Sequence, residues 1–401
     1  MFLNAERFPD PIRENGRPKL FFFVTEDWFF YSHFLDRAVA AREAGYRVAV
    51  ICRVHAHADA IVKRGIEVIP IALARTGMHP GDELRTLAEL LRIYRRERPD
   101  IVHHVAVKPI LYGTLAARLT GVRTIVNAPV GLGYVFSSQT PKARLLRPFV
   151  LAAYRLFMNP RNGATIFENP DDPAYFAGLG VVDIRRCRLI RGAGVDMGRF
   201  YPFPEPKGVT LVVLASRLLW DKGVGEFVEA ARLLRSQGVR ARFVLVGEPD
   251  HANPAAVPES QLNDWREEGV VEFWGRREDM PEVFAGAHIV CLPSYREGLP
   301  KVLIEAAAAG RPIVTTDTPG CREIVREGEN GLLVPVKSVE PLAAALRRLI
   351  EDPDLRLEMG RRGRAMAVAG FSVEQVNTET LALYRRLLHR APLEPSGSAK
   401  A

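Results

Sequence analysis

Residues 288–316, HIVCLPSYREGLPKVLIEAAAAGRPIVTT, set the architecture of everything around them. A short apolar run, HIVCLP, leads to a turn holding Gly298 and Pro300. Next come KVLIEAAAAG at helical spacing and a second apolar run, RPIVTT. Strand, helix and strand in so short a span make a parallel crossover unit. Pro300 suits the start of a helix, where its missing N–H is not needed, and Gly298 lets backbone approach a ligand closely. Glu297 lies in the turn and Glu305 near the helix start, eight residues apart. That spacing alone is weak. Three other pairs share it, Glu6/Glu14, Glu89/Glu97 and Glu259/Glu267, all in segments that look like solvated surface. Only the surroundings single out the fourth.

The same alternation continues on both sides. Upstream in the second half, VTLVVLAS, GEFVEAARLLRSQG, ARFVLVG, VVEFWG and DMPEVFAGA read as strand, helix, strand, strand and helix. In the first half KLFFFVT, YRVAVICR, IEVIPI, IVHHV and RTIVNAP read as strands with helical segments between them, the longest being GDELRTLAELLRIYRRERPD. Short apolar strands alternating with helices predict an α/β protein of two doubly wound, Rossmann-like domains, each a mostly parallel sheet covered on both faces. The proline-rich YPFPEPKG (201–208) reads as a stiff linker. The expected layout is a polar extension over 1–18, a first domain over 19–204, a second over 205–370, a last helix over 371–390 and a disordered tail over 391–401.

The bulk composition agrees. A chain of 401 residues exceeds one typical core, and 47% hydrophobic with 25% charged residues is ordinary for a globular protein. The N-terminal MFLNAERFPDPIRENGRPK is too polar for a signal peptide, and no run approaches the length of a membrane span. Cys52, Cys187, Cys291 and Cys321 are far apart and read as buried thiols, which predicts a cytoplasmic setting. Charge is uneven. Residues 1–204 carry 29 Lys/Arg against 19 Asp/Glu, net +10, and residues 205–401 carry 26 against 28, net −2. A basic half suits an anionic lipid surface, an anionic substrate or nucleic acid; a nucleic-acid binder lacks its reader motifs here.

Ligands of doubly wound sheets bind at the carboxyl ends of the strands. After VTLVVLAS stand Arg217 and Lys222, two cations before Gly223 and a helix start. After HIVCLP stand Ser294, Glu297, Gly298, Leu299 and Pro300. Cations and a helix N-terminus suit a diphosphate, and carboxylates suit the hydroxyls of a sugar and a ribose. Together they describe a nucleotide-sugar site, while Glu305 also reads as a buried carboxylate paired with an Arg. No metal-ligand cluster is evident, and Asp352-Pro-Asp354 reads as a turn and helix cap.

The segments ASRLLWDKG, FVLVGE, FWGRREDMPEVFAGAHIVCLPSYREGLPKVLIEAAAAGRPIVTTDTPGCREIV and ENGLLVP closely resemble the retaining glycosyltransferases of family 4, which have the GT-B fold. The resemblance runs from about Lys19 to Leu388. PDIVHHVAVKP, VGLGYVF, IFENPDD and GAGVDMGRF are similar to the branch that includes capsular-polysaccharide and O-antigen transferases. The resemblance implies a central cleft between the domains and a last helix crossing back onto the first. It places Glu297 on the donor sugar, Glu305 on the ribose, and Arg217 with Lys222 on the departing diphosphate. Gly247, Glu248 and Arg276 lie where such enzymes meet base or ribose. The implied reaction is metal-independent, with a nucleotide sugar, UDP-linked, as donor and a glycan or polyprenyl-diphosphate-linked acceptor.

The first half then holds the acceptor. Where many relatives have a Gly-rich loop, TEDWFFYSHF has Asp27 and His33 for hydroxyls and Trp28 for stacking, or else a packed aromatic cluster. His103 and His104 end a strand, with Lys108 four residues on; some relatives have H-x-H here, and Val105 takes its second histidine position. Either histidine orients a sugar or belongs to the core. Gly131 and Gly133 give GLGYVF freedom to meet a ligand. TPKARLLRPFVLAAYRLF (140–157) alternates basic and apolar residues, as in a helix on an anionic membrane or one packed on the core. The alternatives to transfer are a nucleotide-sugar 2-epimerase and a non-catalytic two-lobed binding protein.

Overall fold

A computed structural model describes residues 16–73, 79–131 and 141–389. The chain forms two compact units, Met1–Ala193 with Val376–Ala401, and Gly194–Gln375. In the first, strands β1 (Lys19–Glu26), β2 (Arg47–Arg53), β3 (Glu67–Pro70), β4 (Ile101–Val105), β5 (Thr124–Ala128), β6 (Gly163–Phe167) and β7 (Cys187–Leu189) form a parallel sheet in the order β3-β2-β1-β4-β5-β6-β7. Between them run α1 (Asp27–His33), α2 (Leu35–Glu43), α3 (Ala58–Lys63), α4 (Pro80–Glu97), α5 (Val107–Thr120), α6 (Pro141–Phe157) and α7 (Asp171–Gly178). The run of phenylalanines in β1 explains how the sheet is covered. Side chains alternate between faces, so Leu20, Phe22 and Val24 join Phe30, Leu35 and Ala38 of α1 and α2, while Phe21 and Phe23 join Leu90 and Tyr94 of α4 and Ala116 of α5.

The second unit repeats the plan with β8 (Thr210–Ala215), β9 (Ala241–Val246), β10 (Glu272–Gly275), β11 (Ile289–Leu292), β12 (Ile313–Thr316) and β13 (Gly331–Val334), ordered β10-β9-β8-β11-β12-β13. Its helices are α8 (Val224–Ser236), α9 (Glu259–Glu268), α10 (Met280–Gly286), α11 (Lys301–Ala308), α12 (Cys321–Ile324), α13 (Val339–Glu351) and α14 (Pro353–Gly370). Val213 and Ala215 face Leu303 and Ile304 of α11; Val212 and Leu214 face Phe227 of α8 and Leu346 of α13. Asp352 caps α14 through Leu355 N–H at 2.9 Å, as the Asp-Pro-Asp reading expects.

The last helix, α15 (Val373–Leu388), leaves the second unit and gives Val376, Leu383 and Tyr384 to the core of the first. The change of unit comes at Ala193/Gly194, ahead of the proline-rich 201–208. In each sheet the order reverses between two neighbouring strands, β1/β4 and β8/β11. Loops leaving their carboxyl ends in opposite directions open a crevice for ligands.

Candidate active site

In the second unit the two loops at the reversal are bolted together. β8 and β11 are in parallel register, Val212 opposite Ile289, so both loops leave the same edge. Gly223, at φ +71°, caps α8, and a Cβ there would lie 2.2 Å from the Pro293 carbonyl oxygen. The Asp221 carbonyl accepts from Ser294 Oγ at 3.0 Å and from Tyr295 N–H at 2.9 Å. Tyr295 O–H donates to Glu226 of α8 at 2.6 Å, and Lys337 Nζ stands 4.8 Å from the Tyr295 ring centroid. This bracing brings Lys222 Nζ to 2.5 Å from Glu297 Oε1, with both side chains largely buried. The loop after β12 closes on the same point: a Cβ on Gly320 would lie 2.3 Å from the Gly298 carbonyl oxygen.

The other residues expected to meet the donor lie at the ends of the same and neighbouring strands. Pro300 is the N-cap of α11, with Leu299 buried before it. Glu305, one turn into α11, lies 3.6 Å from Lys301 Nζ and is 12% exposed; burial pushes its carboxyl up, against the pull of Lys301 and Arg199. Arg217 does not share Glu297 with Lys222. Its Nη1 bonds Asp250 Oδ2 at 2.6 Å, in the loop after β9. Gly247, at φ +133°, lets that loop pass the Ser216 carbonyl, where a Cβ would come within 1.9 Å. The Glu248 carbonyl accepts Leu218 N–H at 2.9 Å, and Gly247 N–H donates to Gly275 at 2.8 Å, which sets Arg276 beside them, exposed and 3.7 Å from Glu278. Asp250, Tyr295, Glu226 and Lys337 were not foreseen. The acid in GEPD, one strand over from Arg217, was the available signal for Asp250.

In the first unit the residues expected to meet an acceptor are mostly engaged with the protein itself. His103 and His104 point to opposite faces of β4 and are fully buried. His104 bonds Asn127 Oδ1 at 3.0 Å through Nδ1 and Tyr94 O–H at 3.1 Å through Nε2; burial lowers its pKa to about 4. It is a neutral core side chain, and the expectation that it binds a sugar is corrected. His103 Nδ1 bonds Tyr384 O–H of α15 at 2.6 Å, its ring stacks 5.2 Å from Phe22, and burial depresses its pKa well below the usual histidine range.

Asp27 is buried at the end of β1, where Oδ2 accepts the N–H groups of His55 at 2.7 Å and His57 at 3.0 Å and so fixes the loop after β2. Neighbouring Glu26 bonds His55 Nε2 at 2.8 Å. His33 bonds Ser32 Oγ at 2.6 Å and stacks on Phe29, while Trp28 meets Phe29 edge-on, which is the packed aromatic cluster. Lys108 pairs with Glu83 of α4 at 2.6 Å. Gly131, at φ +85°, ends the described segment, and Gly133 lies outside the described residues. Ala106, directly after β4, holds φ +75°, a strained conformation for a side chain other than glycine and one that turns the chain into α5. All four cysteines are buried and unpaired, with Cys321 pushed up to about 11 by burial and the nearby Glu297. Among the described residues no group of three or more His, Cys, Asp or Glu is placed to hold a metal ion.

A family model described as Glycosyl transferases group 1 matches residues 209–352, and one described as Glycosyl transferase 4-like matches residues 19–160. The chain belongs to the family 4-like, group 1 glycosyltransferases. Its two Rossmann-like units have the GT-B fold: the sucrose-phosphate synthase of Thermosynechococcus elongatus aligns with a TM-score of 0.77 and 20% identity over 94% of this chain and 100% of that chain. Among sequence relatives of this glycosyltransferase, an N,N'-diacetylbacillosaminyl-diphospho-undecaprenol alpha-1,3-N-acetylgalactosaminyltransferase of Campylobacter jejuni is 29% identical over 81% of this chain and 87% of its own length. A UDP-Gal:alpha-D-GlcNAc-diphosphoundecaprenol alpha-1,3-galactosyltransferase of Escherichia coli is 24% identical over 73% of this chain and 76% of its own length. The enzyme is thus a hexosyltransferase.

Proposed function

We propose that this glycosyltransferase moves a hexose from a UDP-linked donor, with retention of configuration, to a hydroxyl of a polyprenyl-diphosphate-linked saccharide. The observation that carries the donor half is the Lys222–Glu297 pair at the β8/β11 reversal. In this pair each charge neutralises the other. A donor exchanges that pairing for two new ones: Glu297 takes the sugar hydroxyls, and Lys222, released, meets the diphosphate beside Arg217 and the N-terminus of α11. Glu305 takes the ribose, and Ser294, Gly247, Glu248 and Arg276 frame the nucleotide. As the bond from the anomeric carbon to the diphosphate breaks, the acceptor oxygen bonds that carbon from the same face and its proton passes to the departing phosphate oxygen. The cations take up the developing charge, and positioning supplies most of the remaining acceleration.

The acceptor is inferred from the relatives, whose names pair sugar transfer with undecaprenyl diphosphate and favour transfer over epimerisation. No helix among the described residues is long and apolar enough to cross a membrane. We place the enzyme in the cytoplasm, in peripheral contact with an anionic membrane through α6, whose Leu145, Phe149 and Leu156 are exposed beside Arg144 and Arg155. The test is transfer of labelled sugar from UDP-hexoses to a synthetic polyprenyl-diphosphate saccharide, with melting in UDP, GDP and ADP alongside. UDP at 100 times its dissociation constant stabilises by about 2.7 kcal/mol. Glu297→Ala is expected to abolish transfer and keep UDP stabilisation; unchanged turnover rejects the assignment, and loss of turnover in EDTA rejects metal-independence.

A further inference from the structure

A cavity of about 700 Å³ opens in the first unit, away from the carboxyl ends of its own strands. Its walls include Ile125, at the start of β5, and Asn162, just before β6, so it lies at the amino ends of these strands. Arg118, Arg123 and Arg161 line it, with no acid among the lining residues. No ion pair of these three arginines with a carboxylate is found among the described residues. Arg118 donates to the Leu156 carbonyl at 2.8 Å and stacks 5.4 Å from the Phe157 ring, so its guanidinium is fixed at the rim. Burial, and then the charge of Arg161, lower the Arg118 pKa.

The primary structure explains the missing acid. From residue 101 to residue 167 there are eight Lys and Arg and not one Asp or Glu. The same stretch contains α6. Leu145, Phe149 and Leu156 are 71%, 68% and 59% exposed, and at 3.6 residues per turn they lie within roughly 40° of one another around the helix. The opposite face, with Tyr154 buried, packs on the core. Leu156 belongs both to the exposed row and to the cavity wall. One continuous surface therefore offers an apolar ridge and, at its end, an arginine-lined hollow.

We propose that this hollow is a binding site for the phosphate of an anionic phospholipid headgroup, the ridge of α6 entering the same bilayer leaflet. Charge complementarity favours phosphate, and the adjoining ridge favours the lipid over a dissolved anion. The proposal rests on the reading of α6 as the membrane-facing side, and the experiment separates the two. Full-length protein is sedimented with vesicles of phosphatidylglycerol and phosphatidylcholine at 3:7, and with phosphatidylcholine alone. Arg123→Gln/Arg161→Gln is compared with Arg85→Gln/Arg92→Gln, an equal loss of charge on α4, and with Leu145→Ser/Phe149→Ser; circular dichroism melting confirms that each variant is folded. The cavity pair is expected to lose about tenfold in binding to the anionic vesicles while the α4 pair keeps it. Equal behaviour of these two pairs overturns the site. If only the ridge variant loses binding, α6 remains the membrane side and the cavity proposal falls; if neither loses it, both fall. Stabilisation by pyrophosphate that needs Arg123 and Arg161, without vesicle binding that needs them, reassigns the cavity to a soluble anion and overturns the lipid assignment.

Discussion

His104 shows how a polar residue can be structural in a strand that ends at a functional edge. Its depressed pKa makes a prediction with a definite sign. The unfolded side chain takes its proton near pH 6.5 and the folded one near 4, so between those values the unfolded chain binds more protons and stability falls as pH drops. The loss at pH 4 is about 3 kcal/mol from this residue alone, and His103 acts in the same direction. Urea midpoints at pH 7, 5.5 and 4 measure it, and His104→Asn, which cannot charge, is expected to flatten the profile. Nearby Gly113 of α5 is constrained for a steric reason: a Cβ there would lie 2.4 Å from the His104 ring. Gly113→Ala is expected to cost about 1–3 kcal/mol in the same assay. A neutral result means that the ring has room to move. IVHHV suggests ligands because two histidines end a strand, yet strand alternation sends them to opposite buried faces. Tyr94, which bonds His104, and Tyr384, which bonds His103, lie 10 residues before and 281 residues after, beyond any local pattern.

At the scale of elements, the loop after β8 and the loop after β11 function as one part. Gly223 is their contact, and its backbone conformation disfavours any side chain. Gly223→Ala is expected to cost about 1–3 kcal/mol in stability and to weaken UDP binding, because Lys222 and Glu297 are held by the loops it separates. Melting with and without UDP checks both, and unaltered UDP affinity would show that the pair is positioned by something else. Tyr295→Phe makes a finer cut. It removes only the bond to Glu226 and is expected to lower kcat with little change in KM or fold. Most of this region was legible in the sequence, because a strand followed by Gly, Pro and charge already places Lys222, Ser294 and Glu297 at a carboxyl edge. Their partners were not. That Arg217 takes Asp250 depends on β9 lying next to β8, and that Tyr295 takes Glu226 depends on how α8 packs, neither of which is written in spacing. Likewise Asp27 read as a ligand for hydroxyls because its backbone partners lie 28 and 30 residues away.

For the whole molecule, the chief fact is that the chain ends where it began. α15 gives Val376, Leu383 and Tyr384 to the first unit, and Tyr384 closes on His103. A chain ending at Ser372 is therefore expected to lose cooperative unfolding of the first unit while the second still melts as a unit, read by calorimetry. Two undisturbed transitions would show α15 to be dispensable. The repeat of strand and helix made both Rossmann-like sheets legible. It did not show that the change of unit comes at Ala193, since the proline-rich stretch beyond it looks like the natural joint.

This arrangement also orders events during synthesis. The ribosome finishes residue 193 long before it reaches Val376, and at roughly 5–20 residues per second the intervening 182 residues take about 10–40 s. For that interval the nascent first sheet stands without the helix that seals it, its apolar seat for Leu383 and Tyr384 open to solvent. The core of the first unit is therefore completed only when Val376–Leu388 arrives, so its final packing contacts form after every residue of the second unit has been made.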